Sequence, residues 1–458
     1  MLHYSGKRIL VLGLGETGIA TVRWLVRHAA TVIVADSRMD PPGLETLKAE
    51  FPAVPVHCGP FVPELFDDVD EIVASPGVAV ASLPTRRPVI GDIEVFARAI
   101  RHMPARVIAI TGSNGKSTVT SMVGEMCRAA GLKTIVAGNI GLPVLAGLLE
   151  AEEAMAGGAV APQAYVLELS SFQLETTYTL KASSATVLNV SEDHLDRYDG
   201  MVGYATAKSR VFNGEGVQIL NRDDAWSREM AMFGRVVRSF GLDAPQQAGD
   251  FGIEQRDGRT ALLEGTRFLM WADELPLAGL HNVANALAAL ALTRAVDLPV
   301  EPLVAALKQF KGLPHRVEFV RDVRGVSFYD DSKGTNVGAT VAALNGLSRP
   351  VVLIAGGDGK GQDFAPLAPA VARIVKAVIL IGRDAPRIRQ ALASTPAKLI
   401  EATTLEAAVE MAWGESAPGD LVLLSPACAS LDMFRNYAHR AQVFIDAAQA
   451  LGQREERA

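Results

Sequence analysis

Short β-rich runs alternate with helical stretches along almost the whole chain, and several of those runs stop at a Gly, Ser or Asp. RILVLG, TVIVAD and EIVASPG come early, VIAITG, YVLELSS and ATVLNVS in the middle, and VVLIAGG, AVILIG and LVLLSP late. Strands separated by helices build parallel sheets with helices on their faces, so the fold class is α/β. Such sheets bind ligands beyond the carboxyl ends of their strands, where these small and polar residues fall. A chain of 458 residues exceeds one ordinary core, and about 150 residues per domain gives roughly three domains. Breaks at His102-Met103-Pro104 and Gly312-Leu313-Pro314 place them at 1–103, 104–312 and 313–458. Ala151 to Ala164, rich in Ala, Gly and Glu, reads as a surface insertion, and the charged tail Gln453 to Ala458 as frayed.

Hydrophobic residues make up 49% and charged residues 21%, enough for each domain to bury a core. The net charge is −7 with no basic block, which argues against nucleic-acid binding, so an anionic ligand must be held by local devices. Cys58, Cys127 and Cys428 lie far apart without metal-ligand spacing, which fits a reducing cytoplasm. The apolar run Ile9 to Leu12 breaks at Gly13, too short for a signal-peptide core or a membrane span.

Gly13-Leu14-Gly15-Glu16-Thr17-Gly18 follows a strand and opens a helix, with Asp36 ending the next strand. Taken alone this matches a dinucleotide fingerprint; the same turn can hold any nucleotide diphosphate, or no ligand. The stronger signal is Gly112-Ser113-Asn114-Gly115-Lys116-Ser117-Thr118, between a strand and a helix. Its backbone N–H groups can wrap phosphate oxygens, Lys116 adds a point charge and the Ser117 hydroxyl can bind Mg²⁺. A nucleoside triphosphate is the expected ligand. Glu168, and the cluster from Asn189 to Asp196 that includes His194, follow later strands of the same domain and offer the hard oxygen and nitrogen donors a metal-phosphate site needs.

Lys208 lies in a plain helical context, GYATAKSRVF, and by itself reads as solvated. Asn282 and Asn285 share a helix face and suit an adenine edge, with helix capping by Asn282 as the alternative. Arg316, Lys333 and Lys360 sit at Gly-rich or strand-end positions, where cations meet anionic groups. Cys428 reads as a buried structural thiol, for nothing near it in sequence would activate a nucleophile.

In this order and across essentially the whole chain, these motifs resemble the Mur ligases of peptidoglycan synthesis. TGSNGKST is the shortened phosphate loop of that superfamily, and ELSSFQLE, EDHLDRY, LPHR, DDSKGTN, GGDGKG and SPACASLD look like its glutamate-adding member. The resemblance implies Rossmann-like first and third domains around a P-loop ATPase-type centre. It also implies ATP-dependent ligation of D-glutamate to UDP-N-acetylmuramoyl-L-alanine; the alternative is ligation of another amino acid, or of folate to glutamate, and, further off, an NAD-dependent oxidoreductase. A cytoplasmic monomer that binds small molecules and does not insert into membranes is expected. By the same resemblance Gly15, Thr17, Asp36, Ser37, Arg38, Ser75 and Gly77 would face the uridine diphosphate. Gly112 to Thr118, Asn139, Asn282, Asn285, Arg316, Asp331 and Lys333 would bind ATP. Ser117 and Glu168 would hold one Mg²⁺ and His194 a second, and Lys208 matches a lysine that the family carries as a carbamate. Lys116, Glu168, His194 and Lys208 would be the catalytic set, with Thr335, Lys360, Ser430 and Leu431 on the incoming glutamate. Gly334, Tyr437 and Ala441 depart from the family's usual Ala, Phe and Gly.

Overall fold

The computed structural model describes residues 4–277 and 279–457. They form two compact units: residues up to Val190 with Ala205–Glu274 and Asn285–Gln309, and Ser191–Tyr204 with Leu275–Ala284 and Phe310 onward. The expected first and central domains thus share one unit, while two segments numbered within the central domain pack with the third.

The first sheet of unit 1 has five parallel strands in the order Val56–Cys58, Thr31–Asp36, Arg8–Leu12, Glu71–Ala74, Val89–Gly91. Arg8–Leu12 pairs Leu10 with Ile33 on one side and with Ile72 on the other, so the strand order reverses about it. Four of its five residues are buried, as strands covered on both faces require. The reversal opens a crevice at the carboxyl end, where Gly13 and Ser75 lie.

The second sheet runs Arg267–Trp271, Arg259–Glu264, Phe251–Arg256, Val237–Phe240, Val217–Asn221, Ser184–Val187, Arg106–Thr111, Ala164–Glu168, Thr134–Gly138. Arg106–Thr111 lies between two later strands, which again puts a crevice beyond its carboxyl end. The first three strands in that order form antiparallel hairpins on the sheet's edge, a departure from the all-parallel expectation. Their signal is Asp257-Gly258, with φ of 50° and 77°, the left-handed pair of a tight two-residue hairpin.

Unit 2 has the order Glu318–Val323, Val326–Asp330, Leu421–Leu424, Val351–Gly356, Val375–Ile381, Lys398–Glu401, parallel except for its first strand. Leu353 and Ala355 enter one core layer, Val352 and Ile354 the other, so both faces are covered. Two expectations are corrected. Residues 151–156 are the last turns of the helix Val144–Ala156, with Ala151 buried in line with Leu145 and Leu148. The tail from Gln453 to Arg457 continues the helix Tyr437–Arg457, because Leu451 is buried and Arg454 forms an ion pair with Glu410 at 2.7 Å; Ala458 lies outside the described residues.

Candidate active site

A cavity of about 830 Å³ in unit 1 is lined by all seven residues expected at the uridine diphosphate, and also by Asn139 and Gln173 of the second sheet. Its floor is the first glycine turn. Gly13 takes φ 89°, and a Cβ on Gly18 would lie 2.0 Å from the Gly13 carbonyl, so the helix Glu16–Arg27 can start against the turn only with glycine there. Asp36 is buried and braces the turn, accepting from Leu14 N at 2.7 Å and from the Arg38 guanidinium at 2.6 and 2.9 Å. Burial pushes its carboxyl up, but these donors prevail and bring it down to about 2. A dinucleotide site would keep this carboxylate for a ribose hydroxyl; here Arg38 covers it with a cation.

The phosphate loop bends through Gly112 (φ 152°) and Gly115 (φ 82°) into the helix Lys116–Ala129. The Lys116 ammonium donates to the carbonyls of Gly112 (2.8 Å) and Ser113 (2.9 Å), and Lys208 donates to the same Gly112 carbonyl at 3.0 Å. Lys208 is 1% exposed, which corrects the solvated reading: its helix turns it inward, beneath the loop. Ser117 and Thr118 are buried in the helix's first turn. Asn189, present in the sequence only as one polar residue of a cluster, clamps the loop: its carbonyl accepts from Ser113 N (2.9 Å), and its amide accepts from Asn114 N (2.8 Å) and donates to Asn114 O (3.1 Å). A lone Asn after a strand carries no distinctive signal. Asn285 closes the other side, its Oδ1 2.6 Å from where a Cβ on Gly115 would stand. Glu168, 2% exposed, accepts from Asn139 Nδ2 at 2.8 Å through Oε1, while its buried Oε2 has no hydrogen-bond partner among the described residues. A buried anionic oxygen left over in this way suits a cation. Asn139, expected with ATP, also lines the cavity that holds the seven residues expected at the uridine diphosphate.

The remaining expected residues belong to unit 2. Asn282 lies inside the first turn of the helix Leu280–Arg294, beyond a capping position, and its N–H donates to Gly279 O at 3.0 Å. Burial pushes the Asp331 carboxyl up to about 7, against the pull of the Ser425 hydroxyl, 2.6 Å away, and the Arg316 cation. The Lys333 ammonium sits 4.5 Å from the Tyr437 ring centroid and 3.1 Å from its hydroxyl, and only the hydroxyl contact comes from the departure from Phe. A Cβ on Gly334 would stand 2.7 Å from Asp331 Oδ2, so this chain leaves that carboxylate more room. Ala441 is fully buried.

Lys360 forms an ion pair with Asp193, whose other oxygen lies 3.3 Å from Asn336 Nδ2 and 3.7 Å from His194 Nε2. Thr335 is half-buried, Ser430 buried and Leu431 exposed. Arg440 escaped the sequence reading altogether. It is fully buried, donating to Ser332 Oγ (3.0 Å), Ser332 O (2.7 Å) and Cys428 O (3.0 Å), so it ties the DDSKGTN segment to SPACAS, and burial brings its pKa down to about 10. Cys428 is buried and its thiol pKa is raised chiefly by that burial, as befits a structural role.

The sequence matches the profiles described as Mur ligase MurD-like N-terminal domain over 7–96, Mur ligase middle domain over 110–293 and Mur ligase glutamate ligase domain over 315–428. The chain belongs to the Mur ligase family. It is 56% identical over 461 residues to a UDP-N-acetylmuramoylalanine--D-glutamate ligase of Methylobacillus flagellatus, covering 99% of both chains. A protein of the same name from Thiobacillus denitrificans is 54% identical over 469 residues, with 98% of each covered. Among solved structures, MurF of Acinetobacter baumannii shares the fold at TM-score 0.62 and 19% identity, over 97% of this chain and 92% of that one. MurC of Thermotoga maritima does so at 0.61 and 16%, over 97% and 99%.

Proposed function

We propose that this chain joins D-glutamate to UDP-N-acetylmuramoyl-L-alanine in peptidoglycan precursor synthesis. It is an ATP-dependent ligase that forms an amide bond and releases ADP and phosphate. The observation that carries the reading is the 56% identity to a D-glutamate ligase over 99% of both chains. A carboxylate is a poor acylating agent, so the γ-phosphoryl of ATP first passes to the alanyl carboxylate, and the glutamate amine then displaces phosphate from the acyl phosphate. Gly15, Thr17, Ser37, Arg38, Ser75 and Gly77 hold the uridine diphosphate on the turn that Asp36 braces. Asn139, on the cavity wall and bonded to Glu168, marks the end at which the acceptor carboxylate reacts.

The loop from Gly112 to Thr118 wraps the ATP phosphates, and Lys116 is held where phosphoryl charge develops. Asn139, Asn282, Asn285, Arg316, Asp331 and Lys333 complete ATP binding. Ser117 and Glu168 would hold one Mg²⁺ and His194 a second; when bound, the ions offset phosphate charge. The orphaned Glu168 oxygen supports the first of these. Lys208, as a carbamate, would exchange a cation for an anion near the metal. Thr335, Lys360, Ser430 and Leu431 receive the amino acid. The enzyme works as a cytoplasmic monomer; no described helix is long and apolar enough to cross a membrane.

The test is turnover with UDP-N-acetylmuramoyl-L-alanine and ATP against D-glutamate, L-glutamate, L-alanine and L-lysine separately. D-Glutamate should be preferred, because donors arranged for two carboxylates are left unpaired by the others or met at the wrong angle. Preference for alanine or lysine would overturn the assignment, and preference for L-glutamate would reverse its stereochemistry.

A further inference from the structure

Two short segments, Val89–Glu94 and Ser170–Thr179, meet at the seam between the first and second sheets of unit 1, beside the packing of the helix Val144–Ala156. Glu94 is fully buried in it. Its Oε2 accepts from the N–H groups of Tyr178 and Thr179, both at 2.8 Å, and its Oε1 from the Thr179 hydroxyl and Arg98 Nε, also at 2.8 Å. Arg98 continues to Glu71 at 2.5 Å. Burial pushes the Glu94 carboxyl up, but its four donors prevail and hold it below the ordinary carboxylate range. Around it Gly91 N donates to Thr176 O at 3.0 Å and the Tyr178 hydroxyl to Val89 O at 3.2 Å. A Cβ on Gly91 would come within 2.3 Å of Thr176 Oγ1, so the backbones meet as closely as a missing side chain allows.

The second segment does more than join two sheets. It leaves the strand that ends at Glu168, and its Gln173 lines the 830 Å³ cavity. Gln173 is locked in turn: its carbonyl oxygen accepts from Ser170 N at 3.1 Å, which turns its amide nitrogen toward Asp92, 3.5 Å away. One buried carboxylate therefore fixes the piece of chain that follows Glu168 directly in sequence and lines the cavity through Gln173. We infer that Glu94 is a positioning residue, which sets the register between the substrate cavity and the strand that ends in the Glu168 carboxylate so that acceptor and γ-phosphoryl meet at bonding distance. This rests on the proposed ligation. Misplacement by about 1 Å costs about a hundredfold in rate, while each ligand keeps the contacts made by its own glycine turn.

The experiment measures three quantities for wild type, Glu94→Ala, Glu94→Gln and the double variant Tyr178→Phe/Thr179→Val. They are the affinity for UDP-N-acetylmuramoyl-L-alanine, the affinity for a non-hydrolysable ATP analogue, and kcat with all substrates. The double variant removes two hydroxyls and keeps the buried ion pair, so it stays informative if Glu94→Ala does not fold. We expect both affinities within about threefold of wild type, with kcat falling about tenfold in the double variant and in Glu94→Gln and about a hundredfold in Glu94→Ala. Unchanged kcat in the folded variants would overturn the inference. So would affinities that fall in step with kcat, since that marks a general structural role. Absence of ligation by wild type would instead sink the proposed function, before any variant is compared.

Discussion

The two glycine turns of unit 1, Gly13–Gly18 and Gly112–Ser117, start from the same physics and end as different devices. Each follows a parallel strand where the strand order reverses, and each opens a helix. The first is braced by an acid, Asp36, and its helix begins with Glu16. A Cβ on Gly15 would meet nothing within 4 Å. The second is braced by the Asn189 amide and backbone, carries Lys116 and Lys208 on one carbonyl, and is packed by Asn285 against Gly115. An open turn with its one cation, Arg38, at the rim suits a ligand that is bound and left unreacted. A packed turn with the Lys116 ammonium already in place can stabilise charge as it develops, without reorganising at the moment of reaction.

Exchanging the features of the two turns would break this contrast. Lys116→Ala should lower ligation by about a thousandfold or more with the fold intact, because it removes the preplaced cation; steady-state turnover with a melting curve checks both. Lys208→Ala should be nearly inactive and partly recovered by acetate, which can replace a lost carbamate, whereas Lys208→Arg should not be recovered. Full activity without acetate would remove Lys208 from the site. A smaller effect separates the glycines themselves. Gly115→Ala meets Asn285 at 2.6 Å and requires φ 82°, so kcat/KM for ATP should fall about a hundredfold. Gly15→Ala, with open space and φ −96°, should leave the ATP term within about threefold and raise KM for the UDP substrate alone.

The smallest effect compares two carboxyls. Asp36, held down to about 2, contributes stability that is present above its unfolded pKa near 3.8 and lost as pH falls through about 2. Asp331, raised to about 7, behaves oppositely: its contribution is complete below about 3.8 and lost as pH rises through about 7. Melting temperatures of Asp36→Asn, measured from about pH 2 to 5, and of Asp331→Asn, measured from about pH 4 to 8, should therefore diverge from wild type in opposite directions. Wild type should gain on Asp36→Asn as pH rises, and Asp331→Asn should gain on wild type, each by a few degrees.

Much of this was legible because parallel strands are near-continuous hydrophobic runs and glycine turns sit at fixed offsets from them. The phosphate loop, Glu168 and the cavity-lining set from Gly15 to Gly77 follow from that pattern together with the family likeness. What escaped depends on contacts distant in sequence. Asn189 and Arg440 act through loops 75 and 108 residues away, and neither stands out among its neighbours. Lys208 looked solvated because its helix carries no clear amphipathic stripe, and only the fold shows which side of it is covered. The edge hairpins show in turn chemistry alone, Asp257-Gly258, because the runs FGIEQR and RTALLE on either side lack a strict alternation.

An ATP-dependent ligase couples ATP cleavage to amide formation. Phosphate release from ATP, measured with UDP-N-acetylmuramoyl-L-alanine and D-glutamate each present or omitted, tests it most directly. Release at full rate only when both are present, with one phosphate per amide formed, is the predicted result. Release that is indifferent to D-glutamate, or amide formation without ATP, would contradict it.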